Sequence, residues 1–465
     1  MRAPGARLLR GVAAAALLAL APLSAPAQSL SDAMVLAYDS SDILAQQRHL
    51  LAALDEDVAQ AVSALRPTVS YFANVTAADN SLIGTGTSST LGLLLEFTIA
   101  DGGRRAFQIG AAKEAVLAAR WNLQQVEQQV LLDAVSAYLG LRLAVRVVDV
   151  SESNLRLLGQ QLWAAQNRFE VGEVTRTDVA IAEARQAASN SQLAAARGQV
   201  DIAVERYRLA TGHLPGAAMP ALPRSPELPP SVEQAQALAV QVNPTIKALQ
   251  HNVTAGDLFV QVADAQRLPT IDLTGRIEGN SPGYDRGDSG NASLTLGASG
   301  PIYTGGNLAS LGRQARLQVN AARSELAQQA RVVTDSVGSA WAQLRISRAQ
   351  VVASEQQVMS SQLAFEGFRE EAELGARTTL DVLDAEQELL DARLDRAEAQ
   401  TNAELAVYQV LAAIGLLTVD HLGLAVERFD PDLYYNAVRT APTSVPRRSE
   451  QGNRLDRVLR RFGRN

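Results

Sequence analysis

The chain has 465 residues, enough for two or three ordinary domains, and 47% of them are hydrophobic, enough to build a core. Aromatics are only 5%, so the apolar character comes mainly from Ala, Leu and Val, a composition suited to closely packed helices. There is no cysteine, which excludes disulfides, thiolate metal sites and a cysteine nucleophile; the net charge of -7 does not favour nucleic acid.

Residues 1–27 read as a secretory signal: Arg2, Arg7 and Arg10, an apolar run from Gly11 to Ala21, then Ala25-Pro-Ala27 as a small-residue cleavage site. The mature chain is expected to start near Gln28. Beyond it no apolar run approaches the roughly 20 residues of a spanning helix. Any crossing of a bilayer must therefore use strands.

From Ser29 to Leu65 apolar residues recur every three or four positions, which predicts one amphipathic helix. Pro67 ends it. Val69, Tyr71, Ala73 and Val75 then alternate with Ser70, Asn74 and Thr76 as a strand, with Phe72 out of pattern. Ala77 to Ser88, rich in turn formers, reads as a loop. The next strand places Leu91, Leu93, Leu95, Phe97 and Ile99 on one face, and Leu94 is the only large apolar residue on the other.

After Asp101-Gly102-Gly103 a proline-free helical pattern reaches Phe169, and a helix from Arg104 to Glu170 would be about 100 Å long. That is a rod. Gly172 ends it, a second helix runs from about Thr177 to Ala210, and a proline-rich linker occupies 213–230.

The order then repeats. Val232 to Ala265 reads as a helix, Pro269 opens a strand, Gly279 to Gly290 reads as a loop, and Ala292 to Ser299 alternates as a fourth strand. Gly305-Gly306 matches Gly102-Gly103 at an offset of 203 residues, while Pro269 follows Pro67 by 202. In the second long helix Leu326, Ala330, Val333, Val337, Ala340, Leu344, Val351 and Val358 keep coiled-coil spacing. It ends at Gly375, and a return helix is expected from Thr379 to Leu416. The domain reading is a signal at 1–27, a first repeat at 28–212, a linker at 213–230, a second repeat at 231–418, a C-terminal segment at 419–446 and an arginine-rich tail at 447–465, expected to be disordered.

The repeat is sharpest at its tips. Gly172-Glu-Val-Thr-Arg-Thr-Asp-Val-Ala-Ile-Ala-Glu183 and Gly375-Ala-Arg-Thr-Thr-Leu-Asp-Val-Leu-Asp-Ala-Glu386 share Gly, Asp-Val and Glu at the constant offset of 203. Asp381 and Asp384 fall on one helical face. Glu183 and Glu386 read equally well as pore-lining or as solvated.

Each half offers two strands of about ten residues with one apolar face, the length of a tilted membrane strand. Four strands cannot close a barrel, for which eight is about the minimum, so a membrane chain of this kind must oligomerise. A four-stranded sheet capping a soluble helical bundle is the other architecture this periodicity allows.

Pattern and order together resemble the TolC family of outer-membrane channels. The match runs from about Ser29 to Asp432 and is most specific at Gly375-Ala-Arg-Thr-Thr-Leu-Asp-Val-Leu-Asp384, supported by Phe169-Glu-Val-Gly172 and the two proline-opened strand pairs. The resemblance implies a homotrimer with one 12-stranded β-barrel, four strands per chain, continued by a long α-helical coiled-coil barrel in the periplasm. It implies outer-membrane lipid, a periplasmic adaptor (membrane fusion) protein and an inner-membrane ABC or proton-driven transporter as partners. It also implies two stacked carboxylate rings, Asp381 and Asp384, and a latch in which Arg377 meets Thr177 and Asp178. Where family members can carry a tyrosine three residues before the tip glycine, this chain has Ala372, and the lack of cysteine separates it from lipidated relatives.

The function expected is thus a passive exit duct of a tripartite efflux pump or type I secretion system, gated at the helical tips. A periplasmic adaptor or a structural coiled-coil protein of the envelope is the alternative. No enzyme, cofactor or metal is expected: no nucleophile-base set or phosphate-cradling loop appears, and the four histidines are scattered.

Overall fold

The computed structural model describes residues 28–80, 84–216, 219–220, 222–282, 289–442 and Arg457. The signal expected at 1–27 and the tail at 447–465, apart from Arg457, lie outside the described residues.

The first repeat begins with α1 (Leu30–Ser40) and α2 (Asp42–Ser63). Ser29 accepts the Asp32 N–H while the Asp32 carboxylate takes the Ser29 N–H, a reciprocal capping box. The single helix expected over 29–65 is therefore two, broken at Ser41, whose backbone is extended. The second repeat breaks at the equivalent place, between α5 (Val232–Val242) and α6 (Pro244–Ala265), which periodicity had also read as one helix. Pro244 has no N–H to continue α5, so it sits in the first turn of α6 while Asn243 caps that turn. A helix that bends and resumes on the same face keeps its apolar spacing, which is why periodicity passes over both breaks.

Four strands form one antiparallel sheet in chain order: β1 (Thr68–Asn80), β2 (Gly84–Ala100), β3 (Thr270–Pro282) and β4 (Ser289–Ser299). The β2–β3 ladder joins the repeats. At 13, 17, 13 and 11 residues the strands exceed the expected ten, because the turn formers stay in the ladder as far as the Asn80–Gly84 pair. Val69, Tyr71, Leu93, Ile277, Leu294 and Leu296 stand exposed on one face. The first hairpin is tied to the helices by Asp101, whose carboxylate accepts the Gly103 and Arg105 N–H groups; Arg105 returns to it at 2.9 Å and donates to the carbonyls of Ala64 and Thr98.

Helix α3 (Arg104–Glu170) has the length read from the sequence, and its return partner is α4 (Arg176–Thr211). Helices α7 (Asn307–Glu373) and α8 (Thr379–Ile414) repeat the pair. The heptad seam of α7 is buried at Val333, Val337 and Leu344 and continues through buried Ser347, Ser354 and Ser361 to Phe365 and Ala372. Two short helices follow, α9 (Val419–Leu422) and α10 (Pro431–Val438). Helix α10 lies in the C-terminal segment at 419–446 and is started by the Asp430 cap and Pro431.

The described residues divide into two compact units, each drawing on both repeats. One lies within Met1–Ser41, Leu131–Glu227 and Leu344–Tyr408, the other within Asp42–Val130, Leu228–Gln343 and Gln409–Asn465. The second contains the sheet and a core in which Leu51 and Val58 of α2 meet Val116 of α3. Helix α10 packs on α2 there, with the Tyr434 hydroxyl donating to Glu56 at 2.7 Å. In the first, Tyr138 and Tyr207 both donate to Gln28, at 3.2 and 3.0 Å, and Ser40 donates to the Thr211 carbonyl.

Candidate functional site at the hairpin tips

The two helical hairpins turn in the same way. Gly172 and Gly375 have φ of 82° and 78°, left-handed backbone that favours glycine. Glu173 N–H bonds the Arg168 carbonyl at 2.9 Å and Ala376 N–H bonds the Glu371 carbonyl at 2.8 Å, each spanning the turn as in a Schellman motif. Three residues on, each return helix opens with a capping box. Thr175 takes the Asp178 N–H while Asp178 accepts from the Thr175 N–H at 2.8 Å and from its hydroxyl at 2.7 Å. Thr378 and Asp381 repeat it, at 3.0 and 2.8 Å.

The sequence reading placed Asp178 in a latch and Asp381 in a charge ring; within the chain both complete caps. These hydrogen bonds hold both carboxyls below the usual carboxylate range. Thr175 and Thr378, which sequence reasoning passed over, are the cap residues. Their signal was present as Thr-x-x-Asp before an apolar run.

Asp384 lies one turn beyond Asp381 and is bonded by Arg185 of α4 at 2.6 Å. Arg168 joins the hairpins again, donating to the Ala372 carbonyl at 3.2 Å. Between them Leu383 packs with Leu158, Ala165 and Ala182. Ala372, three residues before the tip glycine, is buried with Phe365, Val382, Ala385 and Leu389.

Arg377 does not meet Thr177 or Asp178 within the chain. Its Nε donates to Glu371 at 2.8 Å and its guanidinium lies 4.5 Å from the Phe368 ring centroid. Both groups are within reach because the glycine turn brings Arg377 back over the C-terminal end of α7. Thr177 is exposed in the first turn of α4.

Glu386 is neither pore-lining nor solvated. It is 2% exposed, both carboxylate oxygens lack hydrogen-bond partners, and burial pushes its pKa up to about 7. Glu183, its counterpart in the first repeat, is exposed. Helical spacing puts the two at the same place in each hairpin, but only one hairpin closes over its carboxyl.

The remaining predicted positions shape the strand-helix junctions. Pro67 and Pro269 each stand two residues or fewer before a strand, and Gly102, Gly103, Gly305 and Gly306 have φ of 66°, 85°, 59° and 86°. Among the described residues no helix is long and apolar enough to cross a membrane, and no group of three or more His, Asp or Glu is placed to hold a metal ion.

The family model described as "Outer membrane efflux protein" matches residues 34–213 and 236–416, the two repeats. The chain is 36% identical over 433 residues to outer membrane efflux protein BepC of Brucella suis, covering 92% of this chain and 95% of that one. It is 28% identical over 316 residues to outer membrane protein TolC of Escherichia coli, 64% of each chain. Its fold is that of the solved channel protein CusC, with a TM-score of 0.74 at 18% identity over 84% of this chain and 93% of that one. The four-stranded sheet and long helical hairpins are one chain's share of such a trimeric channel, with the barrel in the outer membrane and the helices in the periplasm. A match over both repeats and close identity along nearly the whole chain lead to one conclusion: the chain belongs to the outer membrane efflux protein family and is an outer-membrane exit duct.

Proposed function

We propose that three copies of this chain receive cargo from an inner-membrane transporter through a periplasmic adaptor protein, and that the paired hairpin tips are the gate. The observation that carries this reading is the construction of the tips. Each is a sharp glycine turn with a stiff, capped return helix, and the buried packing of Leu383 on Leu158, Ala165 and Ala182 holds the two hairpins of one chain together. Such a pair can swing as a body, which a gate requires.

In the closed state Arg377 reaches Thr177 and Asp178 of a neighbouring copy. Its bond to Glu371 is between exposed groups, so a carboxylate on the adjoining chain competes with it on nearly equal terms. Glu371 is then the resting partner of Arg377 when the tips separate. Asp381 and Asp384, repeated by threefold symmetry, form carboxylate rings that attract cations, with Arg185 offsetting part of the charge at Asp384.

The extended likeness to the Brucella suis efflux protein supports efflux of small molecules as the duty, with type I secretion as the second reading. Deleting the gene tests the choice: sensitivity to dyes and detergents with normal protein secretion supports efflux, and the reverse result overturns it. Site-specific photocrosslinking from the tip residue Glu173 tests the partnership. Capture of an adaptor protein is expected, and labelling confined to the chain's own copies counts against it.

A further inference from the structure

Phe72 is a large aromatic on the sheet face that otherwise carries Ser70, Asn74 and Thr76, and the tip gate gives it no role. The register shows what it does. Phe72 pairs with Gly92 and Gly92 with Glu278, while two pairs along, on the same face, Leu94 is opposite Arg276. A Cβ built on Gly92 would lie 2.5 Å from Phe72 Cζ and 2.7 Å from the Ile277 carbonyl oxygen, so the ring lies across the space that glycine leaves. Arg276 covers the ring, its Cζ 4.5 Å from the centroid, and Glu278 accepts from Arg276 Nε at 2.7 Å. Gly92, Phe72, Arg276 and Glu278 form one built ledge.

Period-two alternation puts Glu96 and Asp272 on the same face. The opposite face carries the exposed apolar residues, which meet lipid in a membrane barrel, so the ledge points into the lumen. Arg276 is committed to Glu278 and Asp272 accepts from the Thr98 hydroxyl at 2.6 Å, leaving the face net negative. We infer that this ledge is a second selectivity element of the duct, inside the barrel and separate from the tips, where three Phe72–Arg276 pairs narrow the lumen and the surrounding carboxylates favour cationic permeants over anionic ones. The inference rests on the trimeric barrel.

The native chain has no cysteine, so a single introduced thiol reports its own surroundings whatever the state of the tips. Ser293, opposite Arg276, and the adjacent Leu294, on the other face, are the probe positions. Full-length trimers carrying Ser293→Cys or Leu294→Cys, in lipid vesicles, are labelled with size-matched cationic and anionic thiosulfonates, each rate normalised to a free thiol. At Ser293→Cys the cationic reagent is expected to react about tenfold faster. Adding Arg276→Ala widens that ratio, and adding Glu96→Gln with Asp272→Asn brings it towards one. A ratio near one without those changes overturns the charge selection. Adding Phe72→Ala should speed bulky reagents more than small ones, and equal acceleration, or none, overturns the narrowing. Failure of the barrel itself looks different: Leu294→Cys would then react as readily as Ser293→Cys. A heat-sensitive trimer band confirms assembly, and Asn291→Cys, opposite Glu278, replaces any probe that fails to assemble.

Discussion

Arg185 of the first repeat and Asp384 of the second meet at 2.6 Å, tying α4 to α8 one turn beyond the tip caps. Both side chains are partly exposed, so the pair contributes less than about 1 kcal/mol to stability. Its effect is electrostatic. Arg185→Ala should leave trimer melting nearly unchanged but strengthen channel block by a multivalent cation severalfold in planar bilayers. Adding Asp384→Asn should remove the gain, and equal block in both variants would detach Asp384 from the ion path.

The proposed latch makes opposite predictions for two partners of one guanidinium. Arg377→Ala should raise single-channel conductance, whereas Glu371→Gln frees Arg377 for the neighbouring copy and should lengthen closed times. Asp178→Ala would also strip the α4 cap, so Asp178→Asn, which keeps an acceptor for the Thr175 N–H, is the cleaner variant. It too should raise conductance. Wild-type conductance in both Arg377→Ala and Asp178→Asn would leave the latch without support.

Glu386 makes stability fall as pH rises. Burial lifts its pKa from 4.5 to about 7, so the folded state holds a proton that the unfolded chain has released between those values. Its contribution is complete below the unfolded value and lost as pH climbs through about 7. Glu386→Gln keeps the shape without the charge, and should raise the melting temperature of the detergent-solubilised trimer at pH 8 but not at pH 4.5. The gain at pH 8 is on the order of 3 kcal/mol at most.

Gly102 and Gly305 occupy equivalent turns with similar left-handed backbone, yet only Gly102 is crowded. A Cβ there would lie 2.5 Å from Leu268 Cδ1, and one on Gly305 would meet nothing within 4 Å. Gly305→Ala should therefore cost about 1 to 2 kcal/mol of backbone strain alone. Gly102→Ala should cost more, because Leu268 must also move. Melting of the two trimers side by side checks the order, and a smaller loss for Gly102→Ala would contradict it.

The sequence by itself determined the duplication, the two long helices, the strand faces and the glycine turns at the tips. These follow from local periodicity and from backbone conformations that favour particular residues, and neither needs a neighbour. Thr175 and Thr378 were legible too, as caps, but Asp178 also suited a latch and Asp381 a charge ring, and the hydrogen bonds show that within the chain both complete caps. Only the tertiary structure decided that Glu386 is buried while Glu183 is not, that Asp384 belongs to Arg185, and that Arg377 turns to Glu371. It alone placed Phe72 over Gly92, strands apart in sequence pattern but opposite in register. The physical reason is that helical and strand periodicity say which residues share a face, whereas what that face meets is set by packing: across the turn for Arg377, on the next strand for Phe72, and in the other repeat for Asp384.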